Sequence, residues 1–123
     1  MRRIFVADDD IEILAFYKMI LESAGYQVAT ADDGMEALKM CQAEDYELYV
    51  LDVGMPWLDG YSLANTLSMK FPGRKILMVT SRNFEKDKLP FKVSGASAFL
   101  QKPVDPQKFL ATVSGLLAEE KGF

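Results

Sequence analysis

Asp52 is a carboxylate placed where chemistry is its best use. It ends the run Tyr46-Glu47-Leu48-Tyr49-Val50-Leu51 and is followed at once by Val53-Gly54-Met55-Pro56. Asp8 and Asp9 end a second apolar run, Arg3-Ile4-Phe5-Val6-Ala7. An ionised group resists burial, so a carboxylate closing a buried strand has little packing value. In open α/β sheets the carboxyl ends of the strands are where ligands sit. Two strands delivering carboxylates to one edge suggest a metal site, a phosphate site, or both. Thr80 ends a further strand-like run from Lys75, and Lys102-Pro103 follows another from Ser97 to Gln101. In a parallel sheet these positions share one edge, which then holds Asp8, Asp9, Asp52, Thr80 and Lys102.

The elements that must position them alternate along the chain. Strand patterns cover 3–7, 26–31, 47–52, 75–80 and 97–101. Residues 10–24 read as a helix with Ile13, Phe16, Tyr17, Ile20, Leu21 and Ala24 on its core face and Gly25 as its stop. Asp33-Gly34-Met35-Glu36 resembles a capping box for a helix carrying Ala37, Leu38 and Cys41. Asp59 caps a helix with Gly60, Leu63, Ala64 and Leu67 inward. Asp105-Pro106 opens a last helix that buries Phe109, Val113, Leu116 and Leu117. Leu48 to Leu51 and Ile76 to Val79 are apolar on both faces, as in a parallel sheet covered by helices. Five βα units of this kind predict a doubly wound α/β domain.

One stretch breaks the pattern. Residues 81–90 have poor helical periodicity, and a proline inside a helix costs about 3 kcal/mol. The sequence therefore predicts a fourth helix that starts near Pro90 or is broken there, with Phe84 in a loop. Trp57, in the loop after Asp52, is expected to be partly packed, and the tail from Ala118 to Phe123 to fray.

Composition removes several classes. The chain has 123 residues, enough for one domain with one core. A net charge of −4 argues against a nucleic-acid surface, which needs clustered cations. With no histidine there is no imidazole base, histidine ligand or phosphohistidine on this chain. Cys41 alone allows no internal disulfide, fits a reducing compartment, and reads as a small buried hydrophobe. No apolar run reaches a bilayer span and Met1-Arg2-Arg3-Ile4 begins no signal peptide, so a cytoplasmic location is expected. The absence of Gly-x-Gly-x-x-Gly after the first strand disfavours a dinucleotide or flavin protein.

The whole constellation resembles the receiver domain of two-component response regulators. The residues that carry the resemblance are Val6-Ala7-Asp8-Asp9, Leu51-Asp52, Met55-Pro56 with Asp59-Gly60, Val79-Thr80-Ser81, Gly95 to Leu100 and Lys102-Pro103. It spans essentially the whole chain and implies one receiver domain over 1–123, with an ordered core of about 2–118. It also implies a flavodoxin-like (βα)5 fold with a five-stranded parallel sheet in the order 2-1-3-4-5. Asp52 is then the phosphoacceptor, a carboxylate nucleophile forming an aspartyl phosphate. The resemblance assigns Mg²⁺, with Mn²⁺ as a substitute, to Asp9, Asp52 and the Gly54 carbonyl, and to Asp8 through water. Lys102 pairs with Asp52 and then with a phosphoryl oxygen. Thr80 bonds another phosphoryl oxygen and, with Phe99, switches the surface formed by the fourth helix, fifth strand and fifth helix. Gly54 and Arg82 flank the path of hydrolytic water and are expected to alter phosphoryl lifetime.

The implied partners are a histidine kinase or phosphotransfer protein and an unspecified output partner or effector domain, with no direct nucleic-acid contact and no membrane insertion. Such a chain is a signalling phosphoacceptor, not a turnover enzyme; it catalyses only its own phosphotransfer and slow dephosphorylation. A metal-dependent phosphatase with an aspartate nucleophile usually has a second acid where Gly54 stands. The alternative within the family is a degenerate receiver acting as a scaffold without phosphorylation. No effector segment follows the last helix, so the chain reads as a single-domain regulator or as part of a larger regulator or hybrid kinase.

Overall fold

The structure, a computed structural model, describes residues 2–81 and 83–119, apart from the side chains of Phe84 and Glu119. Met1, Arg82 and residues 120–123 lie outside the described residues, and so does the expectation placed on Arg82. The elements are β1 (Arg3–Ala7), α1 (Ile11–Ser23), β2 (Gln27–Ala31), α2 (Gly34–Ala43), β3 (Leu48–Leu51), α3 (Gly60–Lys70), β4 (Lys75–Thr80), α4 (Phe84–Ser94), β5 (Ala98–Gln101) and α5 (Pro106–Glu119). Helix α5 thus takes in the start of the tail expected to fray. The five strands are parallel in the order β2-β1-β3-β4-β5. The order reverses between β1 and β3, the kind of switch point where α/β sheets bind ligands.

Strand alternation builds two cores. Phe5, Ala7, Tyr49, Leu51, Ile76 and Met78 face one side, where Cys41 of α2 and Leu63, Ala64 and Leu67 of α3 cover them. Ile4, Val6, Leu48, Val50, Leu77 and Val79 face the other, against Leu14, Tyr17 and Leu21 of α1 and Phe109 and Val113 of α5. Each strand residue changes face from its neighbour because the pleat has a period of two.

Helix α1 corrects the sequence assignment of its core face. Its buried stripe is Leu14, Tyr17 and Leu21. Ile13 and Ile20 only flank it, while Phe16 and Ala24 are exposed. Apolar residues at 13, 16 and 20 fit helical spacing as well as 14, 17 and 21 do. Only the angle at which α1 meets the sheet chooses between them.

Helix α4 is the larger correction. It runs unbroken from Phe84 to Ser94 with Pro90 inside it, rather than starting or breaking at Pro90. Asn83 caps it, its Oδ1 accepting from the Glu85 amide at 2.7 Å. Pro90 denies a donor to the Lys86 carbonyl, but both residues lie on an exposed side where water is available. Helix α3 supplies what α4 lacks. The Tyr61 hydroxyl donates to Asp87 at 2.9 Å. Asn65 Nδ2 donates to the Val93 carbonyl and Ser68 Oγ to the Ser94 carbonyl, each at 3.1 Å. Carbonyls of a last helical turn have no partner within the helix, so these bonds satisfy them from outside. They and the cap offset the proline.

Gly95 closes α4 at φ +82°. A Cβ there would lie 2.3 Å from Ser68 Oγ, whereas at Gly25, with φ +95°, it would meet nothing within 4 Å. Gly25→Ala is therefore expected to lose only the left-handed backbone strain of about 1 kcal/mol, and Gly95→Ala about 2–3 kcal/mol with the clash added. Urea unfolding of both variants measures this; equal losses would refute the Ser68 contact.

Candidate functional site at the carboxyl edge of the sheet

The strand register sets the site. Ala7 is level with Leu51, and Leu51 with Met78, so Asp8 and Asp52 emerge side by side from β1 and β3. The ladder continues past the strand ends. The Asp8 amide donates to the Ala31 carbonyl, that of Asp52 to Ala7, and that of Lys102 to Thr80. Burying these backbones fixes where the side chains begin.

The acids form one cluster. Asp8, Asp9 and Asp52 each place a carboxylate oxygen within 4.8 Å of the others. Asp8 is 1% exposed and Asp52 6%, while Asp9 is open to solvent. Lys102 Nζ donates to Asp8 Oδ2 at 2.8 Å and stands 3.6 Å from Asp52 Oδ1. The ammonium therefore sits closer to Asp8 than to Asp52, a refinement of the pairing implied by the resemblance. Thr80 is buried on the same edge. Phe99 lies apart, on β5, with its ring 5.9 Å from that of Phe91 in an edge-to-face contact. Asp10, not Asp9, caps α1, its Oδ1 accepting from Glu12 and Ile13. This leaves Asp9 to the cluster. Asp33, Asp59 and Asp105 likewise accept from the third amide beyond them, as caps do.

Burial pushes the Asp52 carboxyl up to about 6, and the charge of Asp8 adds to the effect. Lys102 and the Gly54 amide pull the other way, and the hydrogen bond with Asp9 pushes up again. Burial opposes the charge on Lys102, yet its hydrogen bond to Asp8 and the charges of Asp52 and Asp8 raise it above the usual lysine value. Burial and the neighbouring acids Asp8, Asp52 and Asp10 raise the Tyr17 phenol, keeping it neutral. Burial pushes the Cys41 thiol up to about 12, which removes it from reactive chemistry.

Two glycines let the loop after Asp52 close on the site. A Cβ on Gly60 would lie 2.3 Å from the Asp52 carbonyl, and one on Gly34 would lie 1.9 Å from that of Leu58. Their place in capping sequences hid this role; only contacts across the fold reveal it. Trp57 is 85% exposed, not partly packed as expected. Its φ of +71° places it in a tight turn in which the Leu58 amide donates to the Pro56 carbonyl at 2.8 Å. That turn points it away from both cores. Phe91 was missed as the partner of Phe99 because it falls in the stretch without clear periodicity.

The response regulator receiver domain model matches residues 4–114. This chain belongs to that family. The receiver is 38% identical over 116 residues to the alkaline phosphatase synthesis transcriptional regulatory protein PhoP of Bacillus subtilis, covering 94% of this chain and 48% of the relative. It thus spans about half the length of the curated relatives it matches. A CheY-like receiver domain from Methanospirillum hungatei superposes with a TM-score of 0.94 at 32% identity, over 98% of this chain and 97% of the other. The response regulator TrrA of Thermotoga maritima, solved in complex with Mg²⁺-BeF, gives 0.87 at 30% identity over 94% and 99%. The receiver's sheet order, fold and family thus agree with the expectations from sequence. Its place is in two-component signalling, where receiver domains serve as phosphoacceptors. Among the described residues, no helix is long and apolar enough to cross a membrane.

The receiver's acidic cluster suits a metal ion. All its side-chain donors are carboxylate oxygens, the hard ligands preferred by Mg²⁺. Among the described residues, Lys102 pairs with Asp8 and Asp52 of this three-carboxylate cluster, so a divalent cation would relieve repulsion that Lys102 alone does not.

Proposed function

We propose that this receiver takes a phosphoryl group onto Asp52 from the phosphohistidine of a partner histidine kinase or phosphotransfer protein. The observation that carries this is the Asp52 carboxylate, nearly buried, 3.6 Å from Lys102 Nζ and clustered with Asp8 and Asp9. An Asp52 oxygen bonds to phosphorus as the phosphorus–nitrogen bond of the donor breaks, and the imidazole leaves with that electron pair. Little acid–base work is needed, because positioning and charge neutralisation dominate phosphoryl transfer. Lys102 supplies a cation to one phosphoryl oxygen, and the Thr80 hydroxyl donates to another. Asp9, Asp52 and the Gly54 carbonyl would hold Mg²⁺, or Mn²⁺ in its place, with Asp8 contributing indirectly; a bound ion would supply charge neutralisation for the phosphoryl oxygens.

Thr80 and Phe99 pass the change to α4, β5 and α5. The Phe91–Phe99 contact supports this path, since it joins β5 to α4. The protein is a cytoplasmic signalling element rather than a turnover enzyme, and it acts on an output partner or effector domain without touching nucleic acid or entering the membrane itself.

Incubation with Mg²⁺ and acetyl phosphate, followed by intact mass, is expected to show one added phosphoryl group on the wild type and none on Asp52→Asn. Asp59→Asn, altering a helix cap, should be phosphorylated normally. No added mass on the wild type, or equal addition on Asp52→Asn, refutes the assignment.

A further inference from the structure

Tyr61 ties the loop after Asp52 to α4. The loop runs on from Asp52 through Val53 and Gly54 and re-enters regular structure at Gly60, the first residue of α3. That first turn is pressed onto the site. The Gly60 amide donates to the Val53 carbonyl at 3.0 Å. A Cβ on Gly60 would lie 2.3 Å from the Asp52 carbonyl oxygen, so the start of α3 meets the end of β3 backbone to backbone. Tyr61 is the next residue, and its hydroxyl donates to Asp87 at 2.9 Å. Asp87 stands in the first turn of α4, the helix that follows Thr80. The bond thus joins the element that follows Asp52 to the element that follows Thr80.

This bond differs in kind from those of Asn65 and Ser68. They donate to the Val93 and Ser94 carbonyls, at the end of α4 remote from the site. Those carbonyls need outside partners because a last helical turn has none of its own. Asp87 instead brings a side-chain carboxylate to 2% exposure. Burying a carboxylate is costly, and an apolar pair would join two helices without that cost. A charged acceptor gives a strong, directional bond, and so fixes where the two helices stand relative to each other.

We propose that Tyr61 is a positioning residue for the phosphoryl transfer. Held by Asp87, it fixes the first turn of α3, and through Gly60 it fixes the loop that carries Asp52 and the Gly54 carbonyl. The geometry of the metal site therefore depends on α4, by a route separate from Thr80 and Phe99. Tyr61 acts through Gly60 and not by contact with the phosphoryl group. The proposal rests on the receiver reading and adds to it a residue outside the acidic cluster.

The test uses the full chain, with Mg²⁺ as the ligand in calorimetry. Tyr61→Phe keeps the ring and removes the hydroxyl. It is expected to weaken Mg²⁺ binding at least about fivefold, the low end of coupling between separate sites. It should also slow phosphoryl uptake from acetyl phosphate and, in chelator, speed hydrogen exchange of the Gly60 amide. Asp87→Leu should match it, and the double variant should be no worse than either single one, because each removes the same bond. Asp87→Asn keeps an acceptor and should behave as the wild type. Asn65→Ala breaks an α3–α4 bond remote from the site and should leave Mg²⁺ affinity unchanged. Wild-type affinity and exchange in Tyr61→Phe overturn the proposal. So do additive losses in the double variant. An equal loss in Asn65→Ala marks general loosening, and an equal loss in Asp87→Asn marks the charge rather than the bond; either overturns it as well. If the wild type gains no phosphoryl mass, the phosphoacceptor assignment falls, and the Mg²⁺ and exchange comparisons still decide this one.

Discussion

Asp52→Asn is expected to make the metal-free protein more stable than the wild type at pH 7, by about 1–3 kcal/mol. The cause is the burial and crowding that push the Asp52 carboxyl from 3.8 to about 6. The native fold therefore holds a proton on Asp52 more tightly than the unfolded chain does. Asp52's contribution to stability is fully present below about pH 4 and is lost as pH rises through about 6. Asparagine keeps the shape and loses the charge, so the gap between the variants should be small near pH 4 and reach its full size above pH 7. Chemical unfolding in the presence of a chelator measures it. Mg²⁺ should narrow or reverse the gap, because a cation that binds only the native state stabilises the variant with the better site. A wild type more stable than Asp52→Asn in chelator at pH 7, or a gap independent of pH, would show that Asp52 is not held against its charge.

Gly60→Ala is expected to cost more than 3 kcal/mol, well above an ordinary surface substitution. Helix propensity alone predicts the opposite sign, since alanine is favoured over glycine by about 1 kcal/mol. The added Cβ, however, would lie 2.3 Å from the Asp52 carbonyl oxygen and 2.8 Å from both its carbon and Met78 Cε. Backbone cannot swing aside as a flexible side chain can, so α3 or the end of β3 must move. Either movement displaces Asp52, the proposed phosphoacceptor. The folded fraction should therefore also lose Mg²⁺ affinity and phosphoryl uptake. Gly115→Ala on α5, where a Cβ meets nothing within 4 Å, should be neutral or slightly stabilising. If Gly60→Ala behaves like Gly115→Ala, the close approach of α3 to Asp52 is wrong.

The site was legible before the fold because its residues sit at strand ends. Strands β1, β3 and β4 are short apolar runs, and each ends in a residue that a core does not want: Asp8, Asp52 and Thr80. The parallel arrangement that aligns these ends follows from strands alternating with helices, a pattern written locally. Asp33, Asp59 and Asp105 were equally readable as caps, because a cap acts within its own turn. Helix α4 was not readable in this way. Its stability comes from Tyr61, Asn65 and Ser68, residues 26 to 28 positions earlier whose spacing carries no sign of that role. Local propensity correctly counted Pro90 as a cost and had no means of counting what offsets it.

Residue types and their order were enough to predict that Asp8, Asp9, Asp52, Thr80 and Lys102 lie on one edge of a parallel sheet. Strand periodicity and βα alternation are short-range properties, and a parallel sheet converts them directly into a shared edge. The tertiary structure alone decided that Lys102 lies nearer Asp8 than Asp52, that Leu14 rather than Phe16 faces the core, and that α4 survives its proline. Each of these depends on distances between segments far apart in the chain. Such distances are set by how helices dock on the sheet and on one another, and no local pattern of residue types encodes them.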